Sequence, residues 1–168
     1  MHDAKDHLLA CIPRLRRYAR ALTGDRSRAD DLVQDTVERG WDKLATWQRG
    51  SDMRAWLFSI MHNVHVDQLR KPVLCTELLD EHTPMPHAAN SPTAGLELRD
   101  MQSALQQLSN DQREILLLVA LEQMTYSEVA TSLQLPLGTV MSRLSRAREN
   151  LRAIAEGRTI VSPLKVVK

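Results

Sequence analysis

Aromatic residues are scarce in this chain. Three Trp, two Tyr and one Phe make up 4% of its 168 residues, against 43% apolar residues in all. β-Sandwiches lean on aromatic and β-branched side chains, so this composition favours helices packed with Leu, Val and Ala. Cysteine is nearly missing as well: Cys11 and Cys75 form no CxxC pair. That argues against a disulfide framework and for reduced thiols in the cytoplasm. No apolar run approaches the roughly 20 residues needed to cross a bilayer. The opening MHDAKDHLLACIPRLRR has no signal-peptide core. A Gly-rich phosphate loop, a nucleophile elbow and a paired-carboxylate site are all lacking, so neither enzymatic chemistry nor a cofactor is expected. His62 and His65 lie three apart, and His2, His7 and Cys11 fall near the start. A metal needs three or four convergent ligands, so these read as surface histidines and no metal is expected.

The net charge is only +1, but it is unevenly spread. Residues 1–71 carry 13 Lys/Arg and 10 Asp/Glu, residues 72–98 carry none and four, and residues 99–168 carry nine and seven. Two weakly basic blocks flank an acidic one. The first block has helical periodicity. Leu8, Ile12, Leu15, Ala19 and Leu22 form one stripe. After TGDRS, a second helix is expected from Ser27, capped by Ser27 and Asp30, with Ala29, Leu32, Val33, Val37 and Trp41 inward. A loop over Thr46–Asp52 precedes a third helix, Met53 to Lys71, with Trp56, Leu57, Ile60, Val64 and Leu69 inward and Pro72 as its stop.

Residues 72–97 hold four prolines, a glycine and no basic residue. They read as a flexible acidic linker, and its length argues for two domains. The second block resumes at Leu98 with the stripe Leu98, Met101, Leu105 and Leu108. Ser109–Gln112 and Thr125–Glu128 read as capping boxes opening two further helices. The last helix turns Val140, Leu144, Ala147, Leu151 and Ile154 inward, and Gly157 begins an irregular tail. The expected fold is all-α: domains over 1–71 and 98–156, a linker over 72–97, and a tail over 157–168.

The short helix Thr125–Leu133, the Leu-Pro-Leu-Gly turn and the longer helix after it have helix-turn-helix spacing. With the last helix's apolar face inward, Thr139, Ser142, Arg143, Arg146 and Asn150 face out, flanked by Arg148 and Arg152. Residues 139–152 contain four Arg and one acid. The planar Arg fork bridges a guanine edge or clasps a phosphate. Thr139 and Ser142 lie near the positive end of the helix dipole, where a phosphate is favoured. The pattern therefore points to DNA reading in a major groove.

The stretch LSNDQREILLLVALEQMTYSEVATSLQLPLGTVMSRLSRARENLR resembles the C-terminal promoter-reading domain (region 4) of bacterial sigma factors, and LuxR-type regulators carry similar segments. DRSRADDLVQDTVERGWDKLATW and MRAWLFSIMHNVHVDQLRK resemble sigma region 2. The two together, in this order and with no middle domain, resemble the extracytoplasmic-function (ECF) group of the sigma-70 superfamily. The resemblance covers about residues 8–71 and 98–154.

It implies a transcription initiation factor that binds core RNA polymerase and reads −10 and −35 promoter elements. Docking on the polymerase β′ coiled coil would fall to Asp31, Gln34, Asp35, Glu38 and Arg39, with the β flap as a second contact. The −10 region would be read by Asn63, His62, Arg54, Arg70 and Lys71, with the loop Trp47–Asp52 shaping a pocket for an extruded base. Where many relatives carry Ala-Arg-Asn, this chain has Met61-His62-Asn63. The −35 contacts would be Thr139, Ser142, Arg143, Arg146 and Arg148. An anti-sigma factor, often membrane-anchored in this group, is the implied regulator. Two other readings stay open: a sigma-like adaptor that sequesters an anti-sigma factor without reading DNA, and a response-regulator output protein. The second would need a receiver domain, which the sequence lacks.

Overall fold

A computed structural model describes residues 2–71 and 92–158. Most of the expected linker, residues 72–91, and the tail beyond 158 lie outside the described residues. Seven α-helices and one 3₁₀ turn make up the described chain: α1 (His2–Thr23), α2 (Arg26–Asp42), the 3₁₀ turn (Leu44–Thr46), α3 (Met53–Arg70), α4 (Pro92–Gln107), α5 (Asn110–Ala120), α6 (Tyr126–Leu133) and α7 (Leu137–Ala155).

Helices α1, α2 and α3 pack on one another as an N-terminal trio, and α4, α5 and α6 gather on α7. Leu8, Leu15, Ala19 and Leu22 of α1 bury against Leu32 of α2 and Leu57 and Val64 of α3. Gly40 lets α2 lie close against α3. A Cβ there would lie 2.9 Å from a Leu57 methyl, so a side chain at 40 would push α2 off α3. The rings of Tyr18 and Phe58, 4.9 Å apart and edge to face, fill the centre. In the second group Ile115, Leu118, Val129, Leu133, Val140, Leu144 and Ala147 are buried. The two groups also touch: α3 lies on α6, and α1 on α4 and α5, so their buried residues form one continuous cluster.

Local chemistry explains where the helices begin. Asp25, not Ser27, caps α2, accepting the Arg28 N–H at 2.7 Å from an extended conformation. Asp52 caps α3 and Ser109 caps α5 in the same way. At α6 the full reciprocal box forms between Thr125 and Glu128. Helix α4 starts at Pro92, six residues before the expected Leu98, with proline suited to a first helical position. Several stripe residues do not reach the core: Trp41, Leu69, Leu98 and Met101 are exposed. Trp41 instead carries the Lys5 ammonium 4.8 Å above its ring. Trp56 is half-buried against the cluster.

Candidate nucleic-acid and polymerase interfaces

The helix-turn-helix is built by α6 and α7. The left-handed residue that turns the chain is Gln134 (φ 54°, ψ 44°). Pro136 then occupies the N-cap of α7, and Leu137 and Gly138 already belong to the helix. Gly138 therefore serves no turn, contrary to the sequence expectation. Val140, Leu144 and Ala147 anchor α7, which leaves Ser142, Arg146 and Arg148 exposed and Thr139 half-exposed. The Ser142 hydroxyl donates to the Thr139 carbonyl at 3.1 Å. Arg143 is held: its Nη1 donates to Asp111 Oδ2 of α5 at 2.9 Å. Asn150 is tied to the same first turn of α5, donating to Gln112 Oε1 at 3.0 Å. The free guanidinium groups of the reading face are thus Arg146 and Arg148, which form no salt bridge among the described residues.

The residues expected on the −10 side divide in two. Asn63, Arg70 and Lys71 face solvent along α3, and the Asn63 amide donates to the Ser59 carbonyl of its own helix at 3.0 Å. Arg54 and His62 turn toward the second group of helices. Arg54 donates to the Glu122 carbonyl at 2.7 Å and to its own cap Asp52 at 3.1 Å. His62 Nδ1 sits 2.8 Å from Glu114 Oε1. That hydrogen bond raises the His62 pKa above its ordinary value, against a smaller opposing effect of burial. One turn on, His65 is 5% exposed and burial pushes its pKa down.

Beside Arg54 lies a cleft that sequence reasoning placed only partly. Its walls include Cys11 and Arg14 of α1 together with Trp47, Arg49, Asp52 and Arg54. The loop was anticipated; the contribution of α1 was not, since periodicity shows which face of a helix is buried but not which loop it meets. Trp47 Nε1 is buried without a hydrogen-bond partner among the described residues. Burial is also the main reason the Cys11 thiol pKa is raised.

On α2, Asp31, Gln34 and Glu38 are exposed. Gln34 donates to Glu38 at 3.3 Å. Asp35 and Arg39 are tied to α3, through Gln68 Nε2 at 2.9 Å and Asp67 Oδ2 at 2.9 Å. Among the described residues no group of three or more His, Cys, Asp or Glu could hold a metal ion. Nor is any described helix long and apolar enough to cross a membrane.

A helical trio followed by a second helical group ending in an Arg-bearing helix-turn-helix defines a class: two-part helical sigma-type proteins. Known proteins agree in both parts. Residues 8–62 match the family described as the Sigma2 domain of PhyR, and residues 98–151 match Sigma-70, region 4. The chain is 37% identical over 151 residues to the ECF RNA polymerase sigma factor EcfG of Rhodopseudomonas palustris, covering 89% of this chain and 83% of the relative. The chain belongs to the ECF RNA polymerase sigma factor family. Among solved structures, the sigma factor RpoE of Bartonella quintana, in complex with the anti-sigma factor NepR, is similar with a TM-score of 0.78 and 34% identity. That match covers 93% of this chain and 98% of RpoE. CnrH, in complex with the cytosolic domain of CnrY, is similar with a TM-score of 0.68 and 28% identity over 93% of this chain and 89% of CnrH.

Proposed function

We propose that this chain directs core RNA polymerase to promoters by reading a −35 element with α7 and a −10 element with α3, under the control of an anti-sigma factor. Family membership supports the general activity; the residue roles are our reading. The observation that carries them is the exposure of two separate polar faces on one chain: Ser142, Arg146 and Arg148 on α7, and Asn63, Arg70 and Lys71 on α3. Arg146 and Arg148 contact phosphate or guanine edges, and Thr139 and Ser142 bind backbone phosphate at the helix N-terminus. Asn63 donates and accepts along one base edge. Arg143 joins the −35 contacts once it leaves Asp111, and Arg54 and His62 join the −10 contacts once they leave the second helical group. Asp31, Gln34 and Glu38 offer an acidic, hydrogen-bonding surface to the β′ coiled coil, with Asp35 and Arg39 at its edge. The β flap is the contact for the C-terminal half. The regulator is a protein of the anti-sigma class, in a membrane-anchored or a diffusible form.

Run-off transcription with purified bacterial core polymerase on a library of promoter-like DNA tests this. Initiation from a defined two-element motif, dependent on this chain, is expected. A second reading, the adaptor that only sequesters an anti-sigma factor, draws on the match of residues 8–62 to a domain of PhyR and on His62 standing where many relatives carry Arg. Tight anti-sigma binding with no initiation on any template would favour it.

A further inference from the structure

The outer face of α7 carries apolar surface that the core does not use. Val140, Leu144 and Ala147 anchor the helix and are buried, whereas Leu137 and Met141 are 47% and 51% exposed. They stand one turn apart on the same side, and Ser145 continues their row. The neighbouring row is Gly138, Ser142 and Arg146, all exposed. Met141 therefore lies beside the polar groups that the −35 reading assigns to DNA. Tyr126 of α6 is exposed too, and with Met141, Ser145 and Arg148 it lines a hollow between the two helices. Single exposed apolar side chains are ordinary. Two on the leading turns of a helix otherwise set with arginine call for a contact that is itself apolar.

Gly138 points the same way. It is helical, its φ is not left-handed, and a Cβ added to it would meet no atom within 4 Å. Neither the turn nor the packing calls for glycine, and a helix is less stable with glycine than with alanine. What glycine does supply is bare backbone that another molecule can approach closely. A helical side chain leans back over the turn before it, and for Met141 that is the turn of Leu137 and Gly138. A bare step and a flexible thioether thus share one stretch of the reading face.

Among the groups that distinguish base pairs in a major groove, the thymine methyl is the apolar one. We propose that Met141 reads the methyl of a thymine in the −35 element, and that Gly138 is left without a side chain so that the groove edge comes within reach of Met141. This role rests on the assignment of α7 to the −35 element. Arg146 and Arg148 hold the duplex by phosphates or guanine edges and fix the register. Met141 then excludes water from the methyl it covers. Cytosine at that position offers no methyl, and its N4 donor meets only a weakly accepting thioether. A T·A pair is therefore preferred there over C·G. Methionine suits the task because its unbranched chain adapts to the surface it meets.

The test is run-off transcription by limiting holoenzyme, formed from bacterial core polymerase and the full chain. Its template is the promoter recovered from the library of promoter-like DNA. Each thymine of the −35 element, on either strand, is replaced in turn by uracil, which lacks only the methyl. One replacement is expected to lower initiation about three- to fourfold, the scale of one buried methyl. Met141→Ala should lower initiation on the thymine template by a similar factor and erase the uracil penalty, whereas Met141→Leu should keep it. Free Gly138→Ala chain should melt at a higher temperature, yet its holoenzyme should initiate more weakly. Uracil tolerated at every position, an element of G·C pairs alone, or a uracil penalty that survives Met141→Ala overturns the reading by Met141. A Gly138→Ala chain that initiates at the native level overturns the clearance. A library that yields no −35 element, or no initiation, overturns the assignment of α7 itself, and it does so before any uracil is placed.

Discussion

Arg113 Nη1 donates to the carbonyl of Leu22 at 2.8 Å, joining the last turn of α1 to a helix 91 residues further along. The same guanidinium donates to the carbonyls of Leu105, Gln106 and Leu108 at 2.7 to 2.9 Å and is 8% exposed. It answers carbonyls that the ends of α1 and α4 leave open. Arg113→Met keeps the volume and removes every donor. Unsatisfied buried groups cost about 1–3 kcal/mol each, so a loss of at least about 3 kcal/mol is expected. Urea unfolding checks it; a loss below about 1 kcal/mol would show that water replaces the guanidinium.

Gly40 is expected to be intolerant of branching. A Cβ there meets a Leu57 methyl at 2.9 Å, and Leu57 is fully buried. Gly40→Val should cost about 1–3 kcal/mol through overpacking, although helix propensity alone favours Val slightly over Gly. A raised melting temperature would show that α2 shifts freely on α3.

Arg143 and Arg146 should behave differently on DNA. Arg146 is exposed, whereas Arg143 is held by Asp111. Asp111→Asn frees Arg143 and should raise affinity for −35 DNA at low salt. Arg146→Ala should lower it, with a salt slope smaller by about one if the contact is a phosphate. Fluorescence anisotropy over a salt series separates these outcomes. An Asp111→Asn chain with unchanged affinity at every salt concentration would place Arg143 outside the DNA interface.

The His62–Glu114 bond makes the contact between the two helical groups pH-dependent. The bond raises the His62 pKa above its ordinary value, the nearby Asp111 adds to the rise, and burial opposes it. A group whose pKa is raised by a contact stabilises that contact fully below its ordinary value of about 6.5 and loses that effect as pH rises through the raised value. The contact should therefore weaken across the neutral range, and His62→Gln should flatten the profile. His65 acts in the opposite sense on folding, because burial lowers its pKa, and it opposes stability as pH falls below about 6.5. Proton NMR of the two imidazoles gives both titrations; a His62 value below about 6.5 would remove the effect.

Helix periodicity located α1, α2, α3 and α7 well, because each buries one continuous stripe. It failed where a stripe outruns its neighbour: Trp41 and Leu69 lie near helix ends, past the reach of the packed trio. It also passed over Tyr18, Phe58 and Met61, which are buried between the stripe positions that pattern matching picks out. The turn before α7 was legible as a turn but assigned to the wrong residue. Glycine is the usual left-handed residue, and here Gln134 takes the strain. Least legible were Arg113, Glu114 and Glu122, all buried. Charged residues are rarely buried unless paired; Glu114 and Glu122 find their side-chain partners in the other helical group and Arg113 bridges both groups, which periodicity does not reveal.

Arg17 and Glu122 are 105 residues apart in sequence. Bacterial chains grow at about 5–20 residues per second, so α1 leaves the ribosome several seconds before its carboxylate partner exists. The trio, whose last helix ends at Arg70, is therefore finished before its partners in the second group, and the bonds that join the two groups form only as synthesis nears its end.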